Sequence, residues 1–173
     1  MRKDQLRNRQ RLVSAARDAF GEHGPEASLE EIARRAGVGP TTLYRHFPGK
    51  DDLIEAVLDD LVGSVREKAE QLAADGDPRT AFRAVFTRSC DLTELDTATF
   101  ARLAAAGPRA DTHAQTLIAA IVGPATTRLR DAGGLRPGIA VEDIARFVRM
   151  TLTAGDPATQ VKAIDVLLAG LVA

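Results

Sequence analysis

Gly37 separates two short runs of helical period, and their spacing sets the first limit on what this chain can fold into. In the first run, Leu29, Ile32, Ala33 and Ala36 recur at the spacing of one helix face. The second begins at Pro40, which is tolerated at a first helical position because its missing N–H would have no intrahelical partner. It ends near Phe47, where Pro48-Gly49 breaks it. Ser28, three residues before Glu31, predicts a capping box in which hydroxyl and carboxylate each satisfy an orphan backbone N–H. Gly37 permits a positive φ, and the small Ala33 allows the two helices to cross closely. Two short helices on a tight glycine turn are a helix-turn-helix arrangement.

Turning Ile32, Ala33, Ala36, Val38 and Leu43 toward one core leaves the later helix an outer face of Thr41, Thr42, Arg45 and His46, with Tyr44 alongside. Threonine offers a hydroxyl and a methyl to base edges, and arginine forks onto guanine. The net charge of −1 does not favour nucleic acid, but its distribution does. Residues 1–50 carry ten Lys/Arg against six Asp/Glu, and residues 51–173 carry thirteen against eighteen. A basic end on an acidic body is the asymmetry expected where one end meets phosphate.

The remainder also shows only helical period, so the expected class is all-α with about nine helices. The first spans about Gln5 to His23, before the two short ones. A long fourth covers about Asp51 to Ala74, a fifth Arg79 to Cys90 and a sixth Thr97 to Ala106. A seventh runs from Thr112 to Ala132 with a kink expected at Pro124, then an eighth from Val141 to Thr153 and a ninth from Ala158 to Val172. Asp75 to Pro78 and Gly155 to Pro157 read as turns. The expected division is a helix-turn-helix domain over 1–50 and a helical domain over 51–173.

The single cysteine, Cys90, cannot form an internal disulfide or a multi-thiolate metal site. His23, His46 and His113 stand far apart with no acid at ligand spacing, and no P-loop, GxGxxG, HExxH or GxSxG occurs. The expectation is a protein that is not an enzyme, with no metal and no cofactor. The acids Asp51, Asp52, Asp59 and Asp60 read as solvated helix faces. Met1–Arg11 is polar and basic, and no apolar run reaches a membrane-spanning length, which predicts a cytoplasmic protein without a membrane partner.

Over roughly residues 10–60 the chain resembles the tetracycline-repressor (TetR) family of bacterial transcriptional regulators. The likeness rests on Ala19-Phe20, Gly24, Ser28, Ile32-Ala33, Ala36-Gly37-Val38, Lys50 and Leu53. The string Thr42-Leu43-Tyr44-Arg45-His46-Phe47 followed by Pro-Gly-Lys is its most specific part. The resemblance implies that Ser28 caps the second helix and touches phosphate, and that Pro40, Thr41 and Thr42 meet bases or backbone. It implies phosphate contacts for Tyr44, His46 and Lys50, and Arg45 is expected at a base or phosphate. Gly39 departs from the serine many relatives place before the recognition helix, a loss of a few tenths of a kcal/mol of capping. Glu30 stands where some relatives place a basic residue, and either repels phosphate or accepts from a cytosine amine.

The resemblance further implies a ligand site enclosed by the fifth to seventh helices. Phe82, Phe86, Cys90, Phe100, Leu103, Ile118, Val122, Phe147 and Met150 are its candidate lining, against the plainer reading that they are core. So apolar a set suits a hydrophobic effector. Independently, the ninth helix is apolar nearly all round and needs cover on more than one side. Val148, Leu152, Val161, Ile164, Leu167, Leu168 and Leu171 are therefore the candidate homodimer interface, four helices about a two-fold axis. The expected function is a dimeric repressor on a near-palindromic duplex operator, released by a small ligand. The alternative is a small-molecule binding or scaffold protein whose head no longer binds DNA.

Overall fold

A computed structural model describes residues 2–74, 76–153 and 156–173. The expected turns at Asp75 and Gly155 lie partly outside the described residues. Among these residues there are ten α-helices. They are α1 (Arg2–His23), α2 (Leu29–Ala36), α3 (Pro40–His46), α4 (Lys50–Leu61), α5 (Gly63–Ala74), α6 (Pro78–Ser89), α7 (Glu94–Ala104), α8 (Pro108–Asp131), α9 (Val141–Leu152) and α10 (Pro157–Leu171). The all-α class is as expected. None of the described helices is long and apolar enough to cross a membrane.

The additional helix arises because the expected fourth helix is two. The break falls at Val62-Gly63, where glycine gives up about 1 kcal/mol of helix propensity relative to alanine. Helical bonding resumes at once, with Arg66 N–H donating to Val62 O at 2.9 Å. Gly107-Pro108, expected only as a stop, also starts α8, with proline in the first turn and Asp111 N–H donating to Gly107 O at 2.9 Å. From there α8 continues through Pro124.

An Asp-Pro-x-Thr sequence starts both α6 and α10. Asp77 accepts from Thr80 N–H at 2.8 Å and from its hydroxyl at 2.7 Å. Asp156 accepts from Thr159 N–H at 3.0 Å and from its hydroxyl at 2.6 Å. Each carboxylate satisfies an orphan donor of the first turn, and these bonds hold both acids below the usual carboxylate range.

Two compact units divide the chain. One comprises 1–61 with 94–114, the other 62–93 with 115–173. The first therefore takes in α7 and the opening turns of α8 besides the N-terminal helices. Its core is Leu12, Ala16 and Phe20 of α1, Ile32 of α2, Leu43 of α3, Leu53 and Leu58 of α4, and Leu103 of α7. Arginine clamps tie it together. Arg17 on α1 reaches Asp60 at 3.0 Å and Asp96 at 2.7 Å. Arg109 on α8 reaches Asp52 and Glu55 of α4, both at 2.7 Å. Asp52 and Asp60 are thus structural partners, not merely solvated faces.

In the second unit, α5 packs on α6 and α9 on α10. Phe82, Val85 and Phe86 are buried, as are Ile118, Val122, Leu129, Ile144 and Val148. Arg128 donates to the carbonyl of Ala73 in the last turn of α5 and to that of Gly76 beyond it. The chain end is pinned by Arg136 N–H donating to Leu171 O and Ala173 N–H to Gly134 O, both at 2.9 Å.

Candidate DNA-binding face

The geometry of the helix-turn-helix follows from Gly37. Its φ of 63° is left-handed, and it ends α2 there. Val38 N–H turns back to Ala33 O at 3.0 Å and Gly37 N–H to Arg34 O at 3.1 Å. The chain then re-enters helix at Pro40, with Thr42 N–H on Gly39 O at 2.9 Å. The cap at Gly39 is backbone-only, as its lack of a side chain requires.

α3 has two sides. Leu43 is 1% exposed, and Phe47, four residues on, is 2% exposed. Opposite them Pro40, Thr41, Tyr44 and Arg45 are exposed, while Thr42 and His46 are half-buried at its edges. At the start of α2, Ser28 Oγ accepts from Glu31 N–H at 3.1 Å, which leaves its hydroxyl proton free to be donated outward. The expected reciprocal half of the capping box is replaced by an ion pair. Glu31 accepts from Arg35 at 2.6 Å, and Arg35 also forks onto both oxygens of Glu22 at 2.9 and 2.7 Å. The guanidinium holds the Glu22 carboxyl below its usual range, and the two acids raise the Arg35 pKa.

That pairing sorts the charges of the head. Arg35 is committed to two carboxylates, whereas Arg9, Arg11, Arg34, Arg45 and Lys50 have no carboxylate partner among the described residues. Glu30 is exposed on α2. Lys50 sits in the first turn of α4, and its place is set by Asp52, an acid expected only on a solvated face. Asp52 accepts from Gly49 N–H at 2.8 Å while Arg109 holds its other oxygen. An acid three residues into a helix is a capping signal visible in sequence. Its partner Arg109, 57 residues on, has no local signature.

The candidate ligand and interface sets divide differently. Phe82, Phe86, Cys90, Ile118 and Val122 are buried in the second unit, the two phenylalanine rings 6.1 Å apart. Phe100 and Leu103 are core of the first unit instead, because α7 packs on α1 and α4 there. Phe147 is half-buried, and Met150 is 63% exposed, so it faces solvent rather than an interior. The Cys90 thiol donates to Thr151 Oγ1 at 2.9 Å, because the Thr151 hydroxyl is spent on Val148 O. Burial pushes the thiol pKa up to about 11, which disfavours the reactive thiolate.

In the interface set, Val148, Leu152, Ile164, Leu168 and Leu171 are buried within the chain and offer little surface to a partner. The exposed apolar side chains of α10 are Val161 at 59% and Val166 at 72%, with Leu167 half-buried.

A recognition helix held from behind, a glycine turn and flanking cations define a helix-turn-helix DNA-binding head in an all-α chain. Residues 12–57 match the family model for bacterial regulatory proteins of the tetR family. A TetR transcriptional regulator of Streptomyces coelicolor is 30% identical in sequence, with 95% of this chain and 98% of that one covered and a TM-score of 0.58. SmeT, the repressor of the Stenotrophomonas maltophilia multidrug efflux pump SmeDEF, shares the fold. It is 22% identical, with 95% of this chain and 90% of that one covered and a TM-score of 0.67. An HTH-type transcriptional regulator of Staphylococcus aureus is 50% identical over 54 residues, which is 31% of this chain and 29% of that one. The likeness to such curated relatives thus spans under a third of their length. The chain belongs to the TetR family of transcriptional regulators.

The Asp52 relay has a pH signature. Arg109, then Gly49 N–H, lower the Asp52 pKa in the folded state. Its contribution to stability is therefore present above the unfolded carboxylate pKa of about 3.9 and is lost as pH falls through the lower folded value. Denaturant unfolding at pH 7 and pH 3 is expected to show a smaller acid loss for Asp52→Asn than for the wild type. Equal losses would remove Asp52 from the clamp.

Proposed function

We propose that this regulator is a homodimeric repressor rather than an enzyme, acting in the cytoplasm on a near-palindromic duplex operator. The observation that carries this reading is the face of α3. Thr41, Tyr44 and Arg45 project outward while Leu43 and Phe47 fix the helix from behind. In this reading Pro40, Thr41, Thr42 and Arg45 face base edges or backbone in the major groove, and Ser28, Tyr44, His46 and Lys50 hold phosphates. Two copies present two such helices to successive major grooves.

Dimerisation draws on the exposed apolar side chains of α10, Val161 and Val166, with the half-buried Leu167. The effector is a small, mainly hydrophobic molecule taken among Phe82, Phe86, Ile118 and Val122 of the second unit. It acts by preferring a dimer whose heads are mis-spaced for DNA, which shifts the population away from the binding form.

Two measurements test this. With duplex recovered from a random-sequence library by repeated selection, Tyr44→Ala with Lys50→Ala is expected to weaken binding at least tenfold. The salt slope should become shallower by roughly 0.9 for each phosphate the variant no longer neutralises. Full binding by that double variant would sink the assignment. Val161→Glu with Val166→Glu is expected to sediment as a folded monomer with weakened operator binding. An intact dimer would contradict the interface.

A further inference from the structure

The proposed face stops at α3 and Lys50, yet a groove continues beyond it onto α1. Gln5, Leu6 and Arg9 of α1 line it together with Arg45 and His46 of α3. No acidic side chain is in this lining, and the neighbouring Asp4 lies 3.7 Å from Arg7. Arg9 is held in place: its guanidinium lies over the Phe47 ring, 5.3 Å from the centroid. A guanidinium stacked on an aromatic face keeps its edge N–H donors available, and those donors match phosphate oxygens. Phe47 is itself buried and directly follows the last residue of α3. The contact therefore places Arg9 beside the recognition helix. Leu6, 62% exposed in the same groove, offers apolar carbon without a partner in the chain's core.

Two arginines, a glutamine amide and an imidazole around an exposed leucine suit an anionic strand with apolar sugar carbons between its charges. We propose that the first turns of α1 are a second DNA-contact element, in which Gln5, Leu6 and Arg9 take the sugar–phosphate backbone flanking the base pairs read by α3. This rests on the reading that α3 faces DNA. The contact adds affinity and footprint length without adding base readout, since phosphate contacts position the protein and carry no sequence information.

The test uses the full chain and the selected duplex in two lengths, one with and one without the outer flanking base pairs. Binding is measured by fluorescence anisotropy across a range of potassium chloride. On the long duplex, Arg9→Ala is expected to weaken binding about five- to tenfold and flatten the log–log salt slope by roughly one. Leu6→Lys, at an exposed position, is expected to tighten binding by a similar factor and steepen the slope by roughly one, a gain that misfolding cannot produce. Both effects should vanish on the short duplex. Unchanged slopes for both variants, or effects equal on the two duplexes, would overturn the inference while leaving the α3 assignment standing. Failure of the wild-type chain to bind any selected duplex would instead overturn the DNA-binding reading, and this inference with it.

Discussion

The burial of Leu43 and Phe47 is the interaction on which the rest of the head depends. A helix of seven residues is too short to hold its shape alone in water, because nucleation costs more than its few hydrogen bonds return. α3 is helical because those two side chains, one turn apart, are fixed in the core of the first unit. The same anchoring sets the rotation of the helix about its axis. With Leu43 and Phe47 inward, Thr41, Tyr44 and Arg45 have no choice but to face out. Arg9, resting on the Phe47 ring, extends that dependence to α1.

Charge arranges the surroundings of that helix by subtraction. Arg35 is consumed by Glu22 and Glu31, Arg17 by Asp60 and Asp96, and Arg109 by Asp52 and Glu55. Arg9 and Arg11 of α1, Arg34 of α2, Arg45 of α3 and Lys50 are left without a carboxylate partner among the described residues. These pairs are largely exposed, so each is worth little as a stability term. Their value is geometric: they tie α1 to α4 and α7, α2 to α1, and the start of α8 to α4. A modest net charge on the head is thereby compatible with a locally basic surface.

The features legible in the sequence are local ones. Gly37, Pro40 and Pro48 mark the ends of α2 and α3 within a few residues, and the spacing of Ile32, Ala33 and Leu43 identifies the inner side. The exposed character of Thr41, Tyr44 and Arg45 follows from the same period. Long-range partners are not legible. Nothing near Arg109 announces Asp52, and a valine-glycine pair within a continuous apolar stripe gives little warning that α4 ends at Leu61. Hydropathy also does not tell which apolar residues of α10 face inward. The structure turns Ile164, Leu168 and Leu171 to the core, at helical spacing, and leaves Val161 and Val166 outside. The resemblance groups Phe100 and Leu103 with Phe82, and the structure places them in different units.

Hydrogen exchange of the full chain with and without saturating selected duplex decides whether α3 is the face that meets DNA, because backbone protection reports which elements DNA covers. Slowed exchange is expected over 40–50 and at the start of α2, with 94–104 and 157–171 unchanged. Tight binding with no added protection over 40–50 would contradict that role for α3.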